Sequence, residues 1–250
     1  MNLPGSLARR FRWMAGIRRS KPFGSHDPVY WTCYWDLYGR REVSFIHDCM
    51  AYEFDVFLSY RRHGEWPAWV NDVFRPLLYH WLGEELGSEP HIFVDRDIET
   101  GDSWPARLGH AIGHSRALVP LFSRQYFSSP WCQRELGLMF ARESRCNLRT
   151  SEWPHGLIVP AHIHDGQDFP QRVKGIQGAQ LQPYTNVRLA RGSQTEELLS
   201  DEIRKWVPDI ANTVRRAPEY DPSWATLAVQ SFMDEFASPI PVQRVPPSLG

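Results

Sequence analysis

A chain of 250 residues is long enough for one core domain of about 150 residues with flanking extensions. A net charge of −1 excludes the overall basic excess of a nucleic-acid binder, and 42% hydrophobic against 23% charged residues excludes global disorder. Cys33, Cys49, Cys132 and Cys146 show neither a CxxC pair nor a Cys/His spacing suited to structural zinc, so they read as free cytosolic thiols. No run approaches the roughly 20 apolar residues that span a bilayer, and the N-terminus lacks the apolar core of a secretory signal. A soluble cytoplasmic protein is the expectation.

The first 26 residues carry Arg9, Arg10, Arg12, Arg18, Arg19 and Lys21 without an acidic residue, interleaved with Phe11, Trp13 and Ile17. They read as a solvated basic arm, with an anionic surface or acidic partner as the alternative. Residues 29–45 are aromatic-rich and predict one or two short strands packed against the main body. Residues 1–50 are therefore expected to be an extension.

From residue 51 strand and helix patterns alternate, which predicts a parallel sheet covered by helices on both faces. Residues 52–59 (YEFDVFLS) read as a buried strand. Trp69, Val73, Leu77, Leu78, Trp81 and Leu82 follow at helical spacing, with Pro76 expected to bend or divide the helix. Residues 91–95 (HIFVD) predict a second strand. Trp104, Leu108, Ala111 and Ile112 form one helical face, capped by Asp102 or Ser103 with Pro105 in the first turn. Residues 117–122 (ALVPLF) predict a third strand. A helix from Pro130 to about Arg142 follows, with Ser129 as its cap.

Residues 156–162 and 179–184 predict the last two strands, and residues 194–214 a closing helix that Pro208 bends or splits. Five strands in this alternation point to a flavodoxin-like sheet flanked by helices, over residues 51–216. Residues 217–250 are proline-rich around one amphipathic segment bearing Trp224, Leu227, Phe232 and Phe236.

Three segments carry a family resemblance: FDVFLSYRR at residues 54–62, FVDRDIETGDSW at residues 93–104, and SPWCQREL at residues 129–136. Their order and spacing resemble the opening strand, the mobile loop and the WCxxE element of the Toll/interleukin-1 receptor (TIR) family, over about residues 52–214. The resemblance implies a TIR fold and two activities, because the family holds both NAD-cleaving enzymes and adaptors that only assemble. In the members that hydrolyse NAD, the glutamate of the third element is the catalytic acidic residue. The resemblance places that role on Glu135.

NAD's nicotinamide is already a pyridinium, so its N-glycosidic bond can break without prior protonation. What needs stabilising is an oxocarbenium-like ribose, and one well-placed carboxylate serves. NAD is then substrate, and neither cofactor nor metal is expected. Trp131, one helical turn before Glu135, and Trp104 offer aromatic surface, while Tyr60, Arg61, Arg62 and Asp97 complete the expected substrate-binding set.

Each has a plainer reading beside it. Glu135 suits a solvated surface acid near the start of a helix, Trp131 core packing, Cys132 a buried small apolar residue, and Arg61 and Arg62 structural ion pairs. His162 and His164 alternate along a strand and its exit, a pattern that points to a metal only if other ligands converge on them.

The expected function is thus an NAD glycohydrolase or ADP-ribosyl cyclase, an immune or anti-phage effector by resemblance, activated when TIR domains associate through residues 95–104. A separate sensor protein or small-molecule activator is the expected trigger. The alternatives are a non-catalytic TIR adaptor and, more distantly, a nucleoside-processing enzyme on the same fold.

Overall fold

The computed structural model describes residues 51–95, 104–164, 166, 169–185 and 192–237. The basic arm and the aromatic segment at 29–45 lie outside these residues, as do Asp97 and the caps Asp102 and Ser103.

Five parallel strands form one sheet in the order β2-β1-β3-β4-β5: β1 Phe54–Tyr60, β2 Ile92–Val94, β3 Ser115–Phe122, β4 Ala161–His162 and β5 Ala179–Gln180. Register is set at the centre, where Val56 faces Ile92 on one side and Ala117 on the other, and Leu58 faces Val94 and Val119. This is the flavodoxin-like order that the alternation predicts.

Strand parity divides the core. Val56, Leu58 and Tyr60 face a layer built by α1 (Trp66–Trp69), α2 (Arg75–Leu86) and α6 (Gln194–Arg215). Phe57 faces the opposite layer of α3 (Trp104–Gly113), α4 (Pro130–Arg145) and α7 (Pro222–Ala237). The short α5 (Gln171–Lys174) joins β4 to β5.

Pro76 divides the first helical run. A π-helical segment, Val70–Phe74, separates α1 from α2, and the Arg75 amide donates to the Val70 carbonyl five residues back. Pro76 has no amide to give, and its ring would strike the carbonyl one turn earlier in a regular helix, so the wider turn relieves the conflict. Pro208, by contrast, leaves α6 unbroken from Gln194 to Arg215.

The fourth and fifth strands are shorter than their apolar runs suggest. In residues 156–162 only Ala161–His162 is strand, with an isolated bridge from Leu118 to Ile158. The amides of Leu157 and Ile158 are taken instead by Glu143 Oε1, at 2.6 and 3.1 Å. The same buried carboxylate accepts from Arg149 Nε and Nη2, at 2.9 and 3.0 Å, so one side chain of α4 folds the connection onto the sheet. After β5, Pro183 sits in a 3-10 turn, Gln182–Tyr184, and ends the strand there.

Helix α7 packs along α3 through a seam of small residues. A Cβ on Gly109 would lie 2.6 Å from Val229 Cα and 2.9 Å from the Ala228 carbonyl oxygen, and one on Gly113 2.8 Å from Ala225 Cα. Both glycines are four residues apart on one helix face, so the two backbones meet along a continuous groove. Trp224, Ala228 and Phe232 of α7 complete the core on that side.

Candidate active site

β1 and β3 are neighbours whose following helices leave on opposite faces of the sheet. Their C-terminal ends therefore flank a topological switch point, where open α/β sheets bind ligands. Ser59 of β1, Tyr126 just beyond β3, and Glu135 of α4 converge there.

Ser129 starts α4 as the sequence predicts, its hydroxyl accepting from the Cys132 amide at 3.4 Å with Pro130 at the first helical position. That start fixes the helical phase, which turns Cys132, Glu135, Leu136 and Met139 towards the sheet. Glu135 is consequently 5% exposed, not the solvated surface acid that a glutamate early in a helix ordinarily is. Ser59 Oγ donates to Glu135 Oε2 at 2.5 Å and lies 2.9 Å from the Tyr126 phenol oxygen. With Ser59 donating to the acid, its own oxygen accepts from Tyr126, giving a buried Tyr126–Ser59–Glu135 chain. Burial pushes the Glu135 carboxyl up to about 8 against the hydrogen bond from Ser59, with nearby Asp95 adding to the rise. Burial also raises the Tyr126 phenol well above its ordinary value.

An aromatic wall stands beside this acid. Trp104 meets Trp131 edge to face at 4.4 Å, and Phe232 of α7 lies parallel to Trp131 at 5.9 Å. Asp95 secures the rim, accepting from Trp104 Nε1 at 2.8 Å and from Arg62 Nη1 at 3.1 Å. Arg134 donates to the Ser231 carbonyl and lies over the Phe232 ring, which holds α7 against the wall.

Of the residues expected to bind substrate, Trp131, Trp104 and Arg62 gather on this wall and rim. Arg61 lies near enough for its charge to act on Cys132. Tyr60 is placed elsewhere: it is 7% exposed and packs in the core on the opposite sheet face, because it follows Ser59 by one residue and strand parity turns it away. Asp97 lies outside the described residues. Burial drives the Cys132 thiol up to about 12, so it is an inert packing residue and no nucleophile.

Ser59 and Tyr126 stand in the candidate site although no motif singles them out, and Asp95, expected as part of the association segment, lines it as well. A lone hydroxyl inside the apolar run VFLSY is the one signal that pointed to Ser59. Tyr126 resembled any core aromatic, and Asp95 one charge among several in an acidic loop.

His162 packs against Phe122 and Phe169, and burial lowers its pKa. The group of side chains among the described residues that is able to hold a metal ion lies elsewhere, at Glu53, His110 and His114.

These features define a doubly wound α/β domain with a hydrogen-bonded acid at its switch point and an aromatic wall next to it. The family model described as "TIR domain" matches residues 56–186, and the chain belongs to the TIR domain family. Among curated proteins of Arabidopsis thaliana, it is 40% identical over 111 residues to "Protein SUPPRESSOR OF npr1-1, CONSTITUTIVE 1", covering 44% of this chain and 6% of that protein. It is 42% identical over 66 residues to "Disease resistance protein RPS6", covering 26% of this chain and 6% of that protein. The chain thus spans a small fraction of the length of these relatives. Among solved structures, it matches the TIR domains of "Structure of the activated Roq1 resistosome directly recognizing the pathogen effector XopQ" at 20% identity and a TM-score of 0.33, over 74% of this chain and 99% of that one. No helix among the described residues is long and apolar enough to cross a membrane.

Proposed function

We propose that the chain is an NAD nucleosidase, a glycohydrolase or ADP-ribosyl cyclase acting in the cytoplasm as an immune or anti-phage effector. The observation that carries this reading is the buried Glu135 carboxyl, hydrogen-bonded to Ser59 at the switch point one helical turn from Trp131. The similarity to a plant disease resistance protein supports the immune setting.

The wall of Trp104 and Trp131 offers stacking surface for a base, and Arg62 a cation for the diphosphate. The bond from ribose C1′ to the nicotinamide nitrogen breaks, and nicotinamide leaves neutral with the electron pair. Ionised Glu135 stabilises the cationic ribose. Water then adds to C1′ and loses a proton, giving ADP-ribose; attack by an atom of the same molecule gives a cyclic product instead. The reaction needs no cofactor beyond its substrate.

Purified full-length chain and Glu135→Ala are incubated with NAD across protein concentrations, and nicotinamide and the second product are identified. The wild type is expected to release nicotinamide and the variant to lose at least about 100-fold of the rate. Equal release by both removes Glu135 from this role. The active form is the carboxylate, so the wild-type rate should climb as pH rises through about 8.

One observation favours the adaptor reading: Phe232 covers Trp131 and Glu135 is nearly sealed, a closed arrangement that fits assembly without turnover. An assembled protein that never releases nicotinamide decides for it.

Self-association through residues 95–104 belongs to the same proposal. The segment carries Asp95, Asp97, Glu99 and Asp102 against a single basic residue, Arg96, so its sequence is acidic. Head-to-tail contacts join two different surfaces and can propagate. Asp97→Lys should lower assembly and nicotinamide release together, read by light scattering and turnover on the same samples. Full activity from a strictly monomeric Asp97→Lys protein overturns the coupling.

A further inference from the structure

Away from the switch point, three side chains of metal-ligand type meet where β1 begins and α3 ends. His110 and His114 are one helical turn apart, with their imidazoles stacked at 3.9 Å and 20°. Glu53, the residue before β1, is held beside them by its own amide, which donates to the His114 carbonyl at 3.1 Å. Glu53 Oε1 lies 3.3 Å from His110 Nε2, and one ligand atom from each of the three residues falls within 4.8 Å of the others.

Ligands about 2.0–2.1 Å from a tetrahedral zinc ion stand roughly 3.3 Å apart, so the Glu53–His110 edge already has the required length. Glu53 is exposed, so its side chain can turn to close the edge to His114, while the edge between the two histidines closes as the rings turn out of their stack. His114 has the orientation of a metal ligand. Its Nδ1 donates to the His110 carbonyl at 2.8 Å, which fixes the tautomer and leaves Nε2 as the nitrogen with a lone pair. Tyr220, on the connection between α6 and α7, places its phenol oxygen 2.7 Å from that Nε2 and donates to its lone pair, so a bound ion takes the place of this hydrogen bond and turns the phenol aside. The C-terminal end of α3 adds partial negative charge, while Arg107, 3.5 Å from His110 Nδ1, opposes a cation from the far side of that ring.

We propose that Glu53, His110 and His114 form a site for a borderline-soft divalent cation, zinc foremost, which ties the entry of β1 to the end of α3. Two imidazoles and one carboxylate suit zinc over magnesium or calcium, which prefer all-oxygen shells. The site lies outside the Glu135 machinery and does not depend on the NAD reading.

Untagged full-length chain is stripped with EDTA, desalted and titrated with zinc chloride by calorimetry. One ion per chain is expected to bind at about 1 µM or tighter, raising the melting temperature by roughly 5 °C or more at saturating zinc, with no such shift from magnesium. Cobalt(II) at the same site should produce the visible absorption of a tetrahedral ion. His110→Gln and Glu53→Gln change partly exposed side chains and should fold, as circular dichroism can verify. Each should weaken zinc binding at least about tenfold and remove the cobalt band. Absence of a one-to-one event in the wild type, or variants that bind zinc as the wild type does, overturns the site; the second result moves the ion to other side chains.

Discussion

Glu135→Gln is expected to melt above the wild type at about pH 9 while losing nicotinamide release. Burial holds the folded carboxyl at about 8, against an ordinary value of 4.5. Between those pH values the folded chain keeps a proton that the unfolded chain has released, so stability falls as pH rises through the window and the loss is complete above it. Glutamine cannot ionise, yet its carbonyl still accepts from Ser59. At about 1.4 kcal/mol per pKa unit the full shift sets a ceiling of roughly 4–5 kcal/mol, and relaxation of the site brings the expected gain to about 2–3 kcal/mol at pH 9. In a domain of this size that is a rise of about 5–10 °C, shrinking to nothing below pH 4.5. Thermal melts of both proteins from acid to alkaline pH measure it. A variant less stable than the wild type at pH 9 would show that the ionised acid is well satisfied in the fold. The same substitution should abolish turnover on the NAD reading, since it removes the charge that stabilises the ribose cation.

The double substitution Gly109→Ala/Gly113→Ala should destabilise the protein by about 2–4 kcal/mol and release α7. Helix propensity argues the other way, favouring alanine over glycine by about 1 kcal/mol at each position. Packing outweighs it. The new methyls would stand 2.6 Å from Val229 Cα and 2.8 Å from Ala225 Cα, and these atoms cannot rotate aside as a side chain would. α7 must therefore lift as a unit, taking Trp224, Ala228 and Phe232 out of the core. Urea unfolding gives the stability change, and limited proteolysis near residues 216–222 reports the freed helix. A more stable double variant would mean that propensity wins and that the two backbones do not meet closely. Because Phe232 lies on Trp131, release of α7 should also open that indole to a soluble quencher.

Much of the scaffold was legible because local chemistry dictated it. Ser129 and Pro130 marked the start of α4 through capping and a fixed φ, and Pro76 marked a break because it lacks an amide. The apolar runs at β1, β2 and β3 form the strands that they predict because buried parallel strands need continuous apolar sequence. The runs at residues 156–162 and 179–184 misled, because Glu143 and the prolines at 160 and 183 take up or remove the amides a longer ladder would use.

Neighbours within a turn or a strand suffice to give the alternation of strands and helices, the phase of α4 and the three short motifs that carry the family. Folding sets Ser59 and not Tyr60 against Glu135, adds Tyr126 and Asp95 to the site, lays Phe232 on Trp131, and brings Glu53 to His110 and His114. These contacts join residues far apart in the chain, and their partners follow from strand order, from which face of a fully buried strand meets which layer, and from the docking of α7. A continuous apolar run hides its own alternation, so none of the three can be read locally.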